Sequence, residues 1–325
     1  MYKAFYHLTR NPFDLTPDPS YFVATQRHNE ALAALHYGIR RHKGFVVVTG
    51  EVGTGKTLLL RCLLRLLRES RDVSYAYLFN SLMAPVEFLQ YILSDFGLVV
   101  SGKNKGELLH ELGEFVVSRG SRGLTTVLII DEAHHLSEEL LEEVRLLTNL
   151  ETIDDKLLQI VLVGQPELDG KLDSSQLRQL KQRISIRAHL GPLSLEETKE
   201  YIQHRLRVAG SESNTETIFP AATVDAIYHH SRGIPRLINT ICENALIIGY
   251  ARQMDSISAD VIHDVAREFR LDTSVPESEN GMPGKEEKSS QGFRDLYTML
   301  RRPGSSGSNR TVPLAVEASE YEPNL

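Results

Sequence analysis

One string limits what this chain can fold into more than any other: Gly50-Glu51-Val52-Gly53-Thr54-Gly55-Lys56-Thr57. Its spacing is G-x-x-x-x-G-K-[ST], that of a phosphate-binding loop. The apolar run Phe45 to Thr49 before it predicts a short buried strand. Leu58 to Arg68 after it lacks Gly and Pro and is rich in Leu and Arg, which predicts a helix. Glycines at 50, 53 and 55 are expected to allow left-handed backbone and close approach to a ligand. Loop N–H groups and the start of the next helix would then face an anion. Lys56 would reach the β- and γ-phosphates of a nucleotide, and the Thr57 hydroxyl would ligate Mg²⁺.

A second stretch answers the first. Thr125 to Ile130 is continuously apolar and ends in Asp131-Glu132. Such a run predicts a strand buried on both faces of a parallel sheet. A buried carboxylate needs a cation or hydrogen bonds to offset its desolvation. Beside a phosphate loop, Asp131 is expected to hold Mg²⁺ or its water, and Glu132 to orient an attacking water. The adjacent pair His134-His135 is not expected to bind metal, because neighbouring side chains diverge.

Further elements follow in order. Residues 1–25 combine aromatic residues with Pro12, Pro17 and Pro19, which predicts a lead-in without a long helix, packed across the nucleotide domain. Phe13 is a candidate wall for an adenine. Helices are expected over 26–42, from Pro85 to Asp95, from Glu107 to Arg119 and from Ser137 to Asn149. Strands are expected from Ser74 to Phe79, Leu157 to Gly164 and Ile184 to Leu190. Gln165, at the tip of one of these, would lie near a γ-phosphate. Arg183, with Arg178 as the alternative, is a candidate finger inserted into a neighbouring subunit.

Gly191-Pro192 marks a boundary after which strand signals stop. Ser194-Leu195-Glu196-Glu197 forms a capping box, and further helical patterns run through residues 221–231, 235–251 and 259–269. Pro235 sets Arg236 at a helix start. A cation there opposes the helix dipole, which points to an anionic partner. The domains are therefore expected at 1–25 (lead-in), 26–191 (nucleotide domain) and 192–271 (helical lid). From Asp272 to Leu325, Ser, Glu, Pro, Gly and Lys dominate, a composition that predicts disorder. Phe293 to Arg302 within it has the pattern of a short amphipathic helix.

Composition narrows the partners. With 325 residues, a formal charge of −7 and 41% hydrophobic residues, the chain has no global basic field for nucleic acid. Its two cysteines, Cys62 and Cys242, sit in apolar helical contexts and are expected to be reduced and buried. The N-terminus lacks an apolar signal core, and no window approaches the roughly 18 apolar residues of a membrane span. The expectation is a cytoplasmic protein.

Several strings together resemble the AAA+ ATPases, and more narrowly the general-secretion-pathway protein A type with its relatives in exopolysaccharide and sorting-signal loci. They are Phe13-Asp14-Leu15-Thr16-Pro17-Asp18-Pro19, the phosphate loop, Ile129-Ile130-Asp131-Glu132-Ala133-His134, Gly164-Gln165-Pro166-Glu167-Leu168, and Gly233-Ile234-Pro235-Arg236-Leu237-Ile238-Asn239. They span about residues 1–270.

The resemblance implies a P-loop α/β fold, a three-layer α/β/α domain with a parallel sheet that has further strands between the loop and the Asp-Glu strand. A small helical lid would follow. It implies ATP and Mg²⁺ as ligands. Lys56 and Thr57 would belong to Walker A, Asp131 and Glu132 to Walker B, and Gln165 and Arg236 to the first and second sensor positions. Asn80 would restrain the catalytic glutamate, and Arg183 would act in trans. It further implies an ATP-driven assembly switch, a homo-oligomer, and partners in envelope secretion or polysaccharide export. Secretion relatives often carry a membrane helix and a wall-binding module after the ATPase. Neither is legible in 272–325, so a soluble accessory role is expected. The alternative is a nucleotide-dependent DNA-binding adaptor, with Lys103, Lys105, Arg119 and Arg122 as its basic cluster.

Overall fold

In a computed structural model, residues 1–79, 83–153, 155–210 and 215–271 are described. Asn80 and the segment 272–325 lie outside the described residues. Chain order begins with α1 (Tyr2–Phe5), α2 (Gln26–Arg40), β1 (Phe45–Gly50), α3 (Lys56–Glu69), β2 (Val73–Leu78), α4 (Pro85–Asp95), α5 (Lys105–Gly120) and β3 (Thr125–Ile130). It continues with α6 (Glu138–Leu147), β4 (Leu158–Gly164), α7 (Glu167–Leu172), α8 (Arg178–Lys181) and β5 (Ile186–Leu190). The remaining helices are α9 (Leu195–Val208), α10 (Thr215–Ile218), α11 (Ala221–Ser231), α12 (Pro235–Ala251) and α13 (Ala259–Glu268).

The strands form a parallel sheet in the order β2-β3-β4-β1-β5. β4 lies between the loop-bearing β1 and the acid-bearing β3, as the resemblance implies. Alternation along each strand makes the three layers. Phe45, Val47, Leu128, Ile130, Ile160 and Leu162 face one core with α4, α5 and α6. Val46, Val48, Val127, Ile129, Val161 and Val163 face the other with α2 and α3. Both faces of the central strands β1, β3 and β4 are covered, so these read as almost unbroken apolar runs, whereas the edge strands β2 and β5 carry Ser74, Arg187 and His189.

Local signals account for the helix starts. Thr25 accepts a hydrogen bond from His28 N at the start of α2. Asn104 with Glu107, and Ser194 with Glu197, form capping boxes on α5 and α9. Pro85 and Pro235 occupy first turns, where the missing N–H is not needed.

The lead-in packs on the nucleotide domain as expected only in its later part, and its first aromatic residues go elsewhere. Tyr2, Tyr6 and Phe13 are buried with α9, α11, α12 and α13 rather than against the sheet, while Phe22 joins the α2–α3 core. Phe13 stands edge-on to Phe219 at 6.0 Å and is 1% exposed, so it walls no ligand. The helical half has room for these rings in its own core. Arg205, buried in α9, fixes the segment between them. It donates to Pro12 O, to Asp14 O at 3.0 Å and to Tyr201 Oη at 2.8 Å. The lead-in is thus a strap tied to both halves. Arg61 of α3 also donates to Pro17 O.

Both cysteines are buried and unpaired, as expected. Burial pushes the Cys62 thiol up to about 12. No helix among the described residues is long and apolar enough to cross a membrane.

Candidate nucleotide site

The sheet register gathers the motifs at one edge. β1 pairs with β4 so that Thr49 lies opposite Gly164, and β3 pairs with β4 so that Ile130 lies opposite Leu162. The loop after Gly50, Gln165 after Gly164, and Asp131-Glu132 after Ile130 therefore emerge side by side. In open α/β sheets this carboxyl-end crevice is where ligands bind.

The loop uses its glycines in different ways. Gly53 (φ 83°) and Gly55 (φ 99°) take left-handed backbone, as expected, but Gly50 does not. Gly50 is required by crowding, because a Cβ there would stand 2.6 Å from Leu190 O. Lys56 Nζ donates to Gly50 O at 2.7 Å and to Glu51 O at 3.0 Å. Burial lowers the Lys56 pKa, opposed by the nearby acids, Glu132 first. His28 braces the loop from beneath. Its Nε2 lies 3.1 Å from Thr54 O and its Nδ1 2.7 Å from Thr25 Oγ1. Burial lowers its pKa too, so the neutral ring carries its single proton on Nε2 to donate to Thr54 O, and Nδ1 accepts from the Thr25 hydroxyl.

Across the crevice, Asp131 is 4% exposed. Its carboxylate accepts from Tyr77 Oη at 3.0 Å and from Glu132 N at 2.9 Å. Burial raises its pKa, against the pull of those two donors. Glu132 adopts left-handed backbone (φ 49°), unusual for a side chain larger than glycine, and opens the 3-10 turn Ala133–His135. Its Oε2 lies 3.3 Å from His134 Nδ1. Gln165 Nε2 lies 2.9 Å from His134 Nε2.

The helical half closes the far wall. Arg236 N donates to Gly53 O at 3.2 Å, and a Cβ at Gly53 would come within 2.7 Å of Arg236 Cβ. The start of α12 is therefore pressed onto the phosphate loop. Val52, Gly53, Gly55, Lys56, Thr57, Glu132, Gln165 and Arg236 line one cleft with Asp14 to Asp18, Tyr201, Arg205 and Asn239. Glu51 and Thr54 shape the loop from within: Thr54 N and Oγ1 both donate to Glu51 O.

Two predicted residues lie elsewhere. Arg183 donates to Thr148 Oγ1 at 2.7 Å near the start of β5, where Ser185 N meets Phe45 O. That is the opposite edge of the sheet from the phosphate loop. Arg178 is exposed on α8. The suggested basic cluster is largely spoken for. Lys103 pairs with Glu111, Lys105 with Glu143, and Arg119 donates to Thr126 Oγ1 and to the carbonyls of Asp72 and Thr125.

Sequence reasoning missed His28, Tyr77 and His134 as site neighbours, and the cleft-lining part of the strap. His134 had a signal, since it completes the Asp-Glu-Ala-His string. His28 and Tyr77 had none, because only folding brings them near.

The fold is that of the AAA+ P-loop domains, and residues 39–172 match the AAA domain family. The ORC2 protein of Aeropyrum pernix, solved in ADPNP–ADP complexes, shares this fold. It has a TM-score of 0.60 at 19% identity, covering 80% of this chain and 71% of that one. The particular likeness is to general secretion pathway protein A of Aeromonas hydrophila, at 44% identity over 253 residues. That alignment covers 78% of this chain and 45% of the relative, so the chain spans under half of the relative's length. A more distant relative, the ATP-dependent target DNA activator B of Escherichia phage Mu, is 25% identical over 263 residues, 80% of this chain and 77% of that one.

Proposed function

We propose that the cleft binds ATP with Mg²⁺ and hydrolyses it, and that the chain works as a cytoplasmic assembly switch in envelope secretion or polysaccharide export. The observation that carries the chemistry is the meeting of Lys56, Glu132, Gln165 and Arg236 in one cleft at the carboxyl edge of the sheet. Loop N–H groups and Lys56 hold the β- and γ-phosphates. The lysine exchanges its loop carbonyls for phosphate oxygens, which suits a buried ammonium better than neutral acceptors do.

The Thr57 hydroxyl and the buried Asp131 carboxylate are hard oxygen donors that fit Mg²⁺. Bound there, the ion would neutralise charge on the β- and γ-oxygens. Glu132 accepts the proton of a water as its oxygen bonds to the γ-phosphorus. The bond from that phosphorus to the β–γ bridging oxygen breaks, releasing ADP and phosphate. Lys56 and Arg236 stabilise the charge that develops. An arginine of a neighbouring subunit, Arg183 or Arg178, completes the site.

The test is Glu132→Gln, expected to bind a fluorescent ATP analogue normally and to lower kcat by about 10²-fold or more. Lys56→Ala is expected to lose binding in the same titration. Wild-type turnover by Glu132→Gln would remove that residue from the mechanism.

The export role rests on the 44% identity to general secretion pathway protein A. A second reading, a nucleotide-dependent DNA adaptor, is favoured by the likeness to the phage Mu activator. Adding duplex DNA to the ATPase assay at low salt separates the two. Binding that falls steeply as salt rises would favour the adaptor, whereas the internal pairing of Lys103, Lys105 and Arg119 leads us to expect none.

A further inference from the structure

The imidazole of His134 stands between two groups of the proposed reaction. It follows Glu132 in the 3-10 turn, and its side chain is 8% exposed. Nδ1 lies 3.3 Å from Glu132 Oε2, and Nε2 lies 2.9 Å from Gln165 Nε2. Gln165 N approaches Nδ1 at 3.4 Å. The ring is held in place from behind. Lys171 Nζ donates to the carbonyls of His134, at 2.5 Å, and Leu136, at 3.0 Å. Gly164, by lacking a side chain, admits the turn: a Cβ there would stand 3.1 Å from His134 N. The His135 ring lies 3.9 Å away, centroid to centroid.

The donor inventory orders these contacts. An amide nitrogen only donates and an ionised carboxylate only accepts. In one neutral tautomer, Nε2 accepts from the Gln165 amide while Nδ1–H is turned toward Glu132 Oε2, 3.3 Å away and off the line of a full hydrogen bond. The longer approach of Gln165 N is the contact that tautomer gives up. Burial, and then the neighbouring His135, lower the ring's pKa and keep it neutral. A neutral ring can pass orientation from one partner to the other without adding a charge.

We propose that His134 is a positioning residue that couples Gln165 to Glu132, aiming the carboxylate at the attacking water in step with the residue facing the γ-phosphate. This rests on the reading of Glu132 as the base. When the Gln165 amide turns to a phosphate oxygen, Nε2 loses its donor. The grip of Nδ1 on Glu132 then changes at the moment the substrate is in place.

The test uses the full chain and measures kcat, KM and equilibrium affinity for a fluorescent ATP analogue. His134→Ala is expected to lower kcat by about 10–100-fold, the scale of a misplaced catalytic group. Nucleotide affinity should stay within about twofold, because the loss falls on the transition state. His134→Asn, whose amide can still be turned toward Glu132 from the Nδ1 position, should recover kcat several-fold. Gln165→Ala combined with His134→Ala should be no slower than the slower single variant, as for residues acting as a unit.

The proposal is overturned by an unchanged kcat in His134→Ala, by parallel losses of kcat and affinity, by no recovery in His134→Asn, or by losses that multiply in the double variant. Glu132→Gln is the control. If it turns over at the wild-type rate, the reading of Glu132 has failed. If it is slow while His134→Ala is fast, the coupling alone has failed.

Discussion

His28 shows how much a single buried side chain can contribute to a loop that is 26 residues away in sequence. Its ring joins the cap of α2 to the carbonyl of Thr54, so the floor of the phosphate loop depends on a neutral imidazole. The pH consequence has a definite sign. Burial lowers the His28 pKa in the folded chain, so below about pH 6.5 the unfolded chain takes up a proton that the folded chain resists. The stability from this site is therefore complete above that pH and declines as the pH falls through it toward the lowered value. Urea unfolding at pH 7.5 and at pH 5.5 checks this. The wild type should lose more stability between the two than His28→Gln. Equal losses would mean that His28 is not the group responsible. Glu132 makes a related point at the same scale. Its left-handed backbone carries a strain of about 1–2 kcal/mol for a residue with a Cβ, which fits a side chain kept for chemistry rather than for stability.

Between elements, the decisive contact is the start of α12 against the phosphate loop. Gly53 makes it possible twice over, by its positive φ and by the absence of a Cβ that would meet Arg236 Cβ at 2.7 Å and Ile234 Cγ2 at 3.1 Å. Gly53→Ala should therefore weaken ATP-analogue binding by about tenfold or more, the effect of roughly 1.4 kcal/mol. It should also lower stability by about 1–2 kcal/mol through backbone strain. Fluorescence titration and thermal unfolding read the two effects. Unchanged affinity would show that the loop and α12 do not share the ligand. α12 also illustrates why a poor dipole match is informative. Arg236 sits in its first turn, where a cation is disfavoured until an anion arrives.

For the whole molecule, the placement of Arg183 matters most. The six residues of β1, at roughly 3.3 Å each, separate the start of that strand from the phosphate loop. An arginine at that far edge lies away from its own cleft, so in the proposed mechanism it would act on the cleft of a neighbouring copy. Specific ATPase activity should accordingly rise with protein concentration, and Arg183→Ala or Arg178→Ala should lower kcat with little change in KM. Sedimentation alongside the assay links the rise to assembly. Activity per chain that stays constant under dilution would rule out a shared site. Arg183 is bonded to Thr148 within its own chain, whereas Arg178 is exposed, so comparing the two variants also decides which arginine crosses over.

The parallel sheet, the phosphate loop and the Asp131-Glu132 pair were legible from residue order because their signals are local. Apolar runs of strand length, glycines at fixed spacing and acids at a strand end each sit within a few residues of one another. The capping box at Ser194 was equally local, and α9 begins where that cap places it, whereas the box at Asn104 went unread and α5 starts at Lys105, two residues before the expected Glu107. Residue order could not say that Gly50 answers to Leu190 rather than to its own backbone angle, that Phe13 turns into the helical core, or that Arg183 lies at the opposite end of the sheet from its own chain's phosphate loop. Nor could it show Tyr77 on Asp131 or His134 between Glu132 and Gln165. Those are contacts between segments tens to hundreds of residues apart, set by sheet register and by which core has room for a ring. The chemistry was written in short strings, and its geometry arose only when the packed layers brought those strings to one edge.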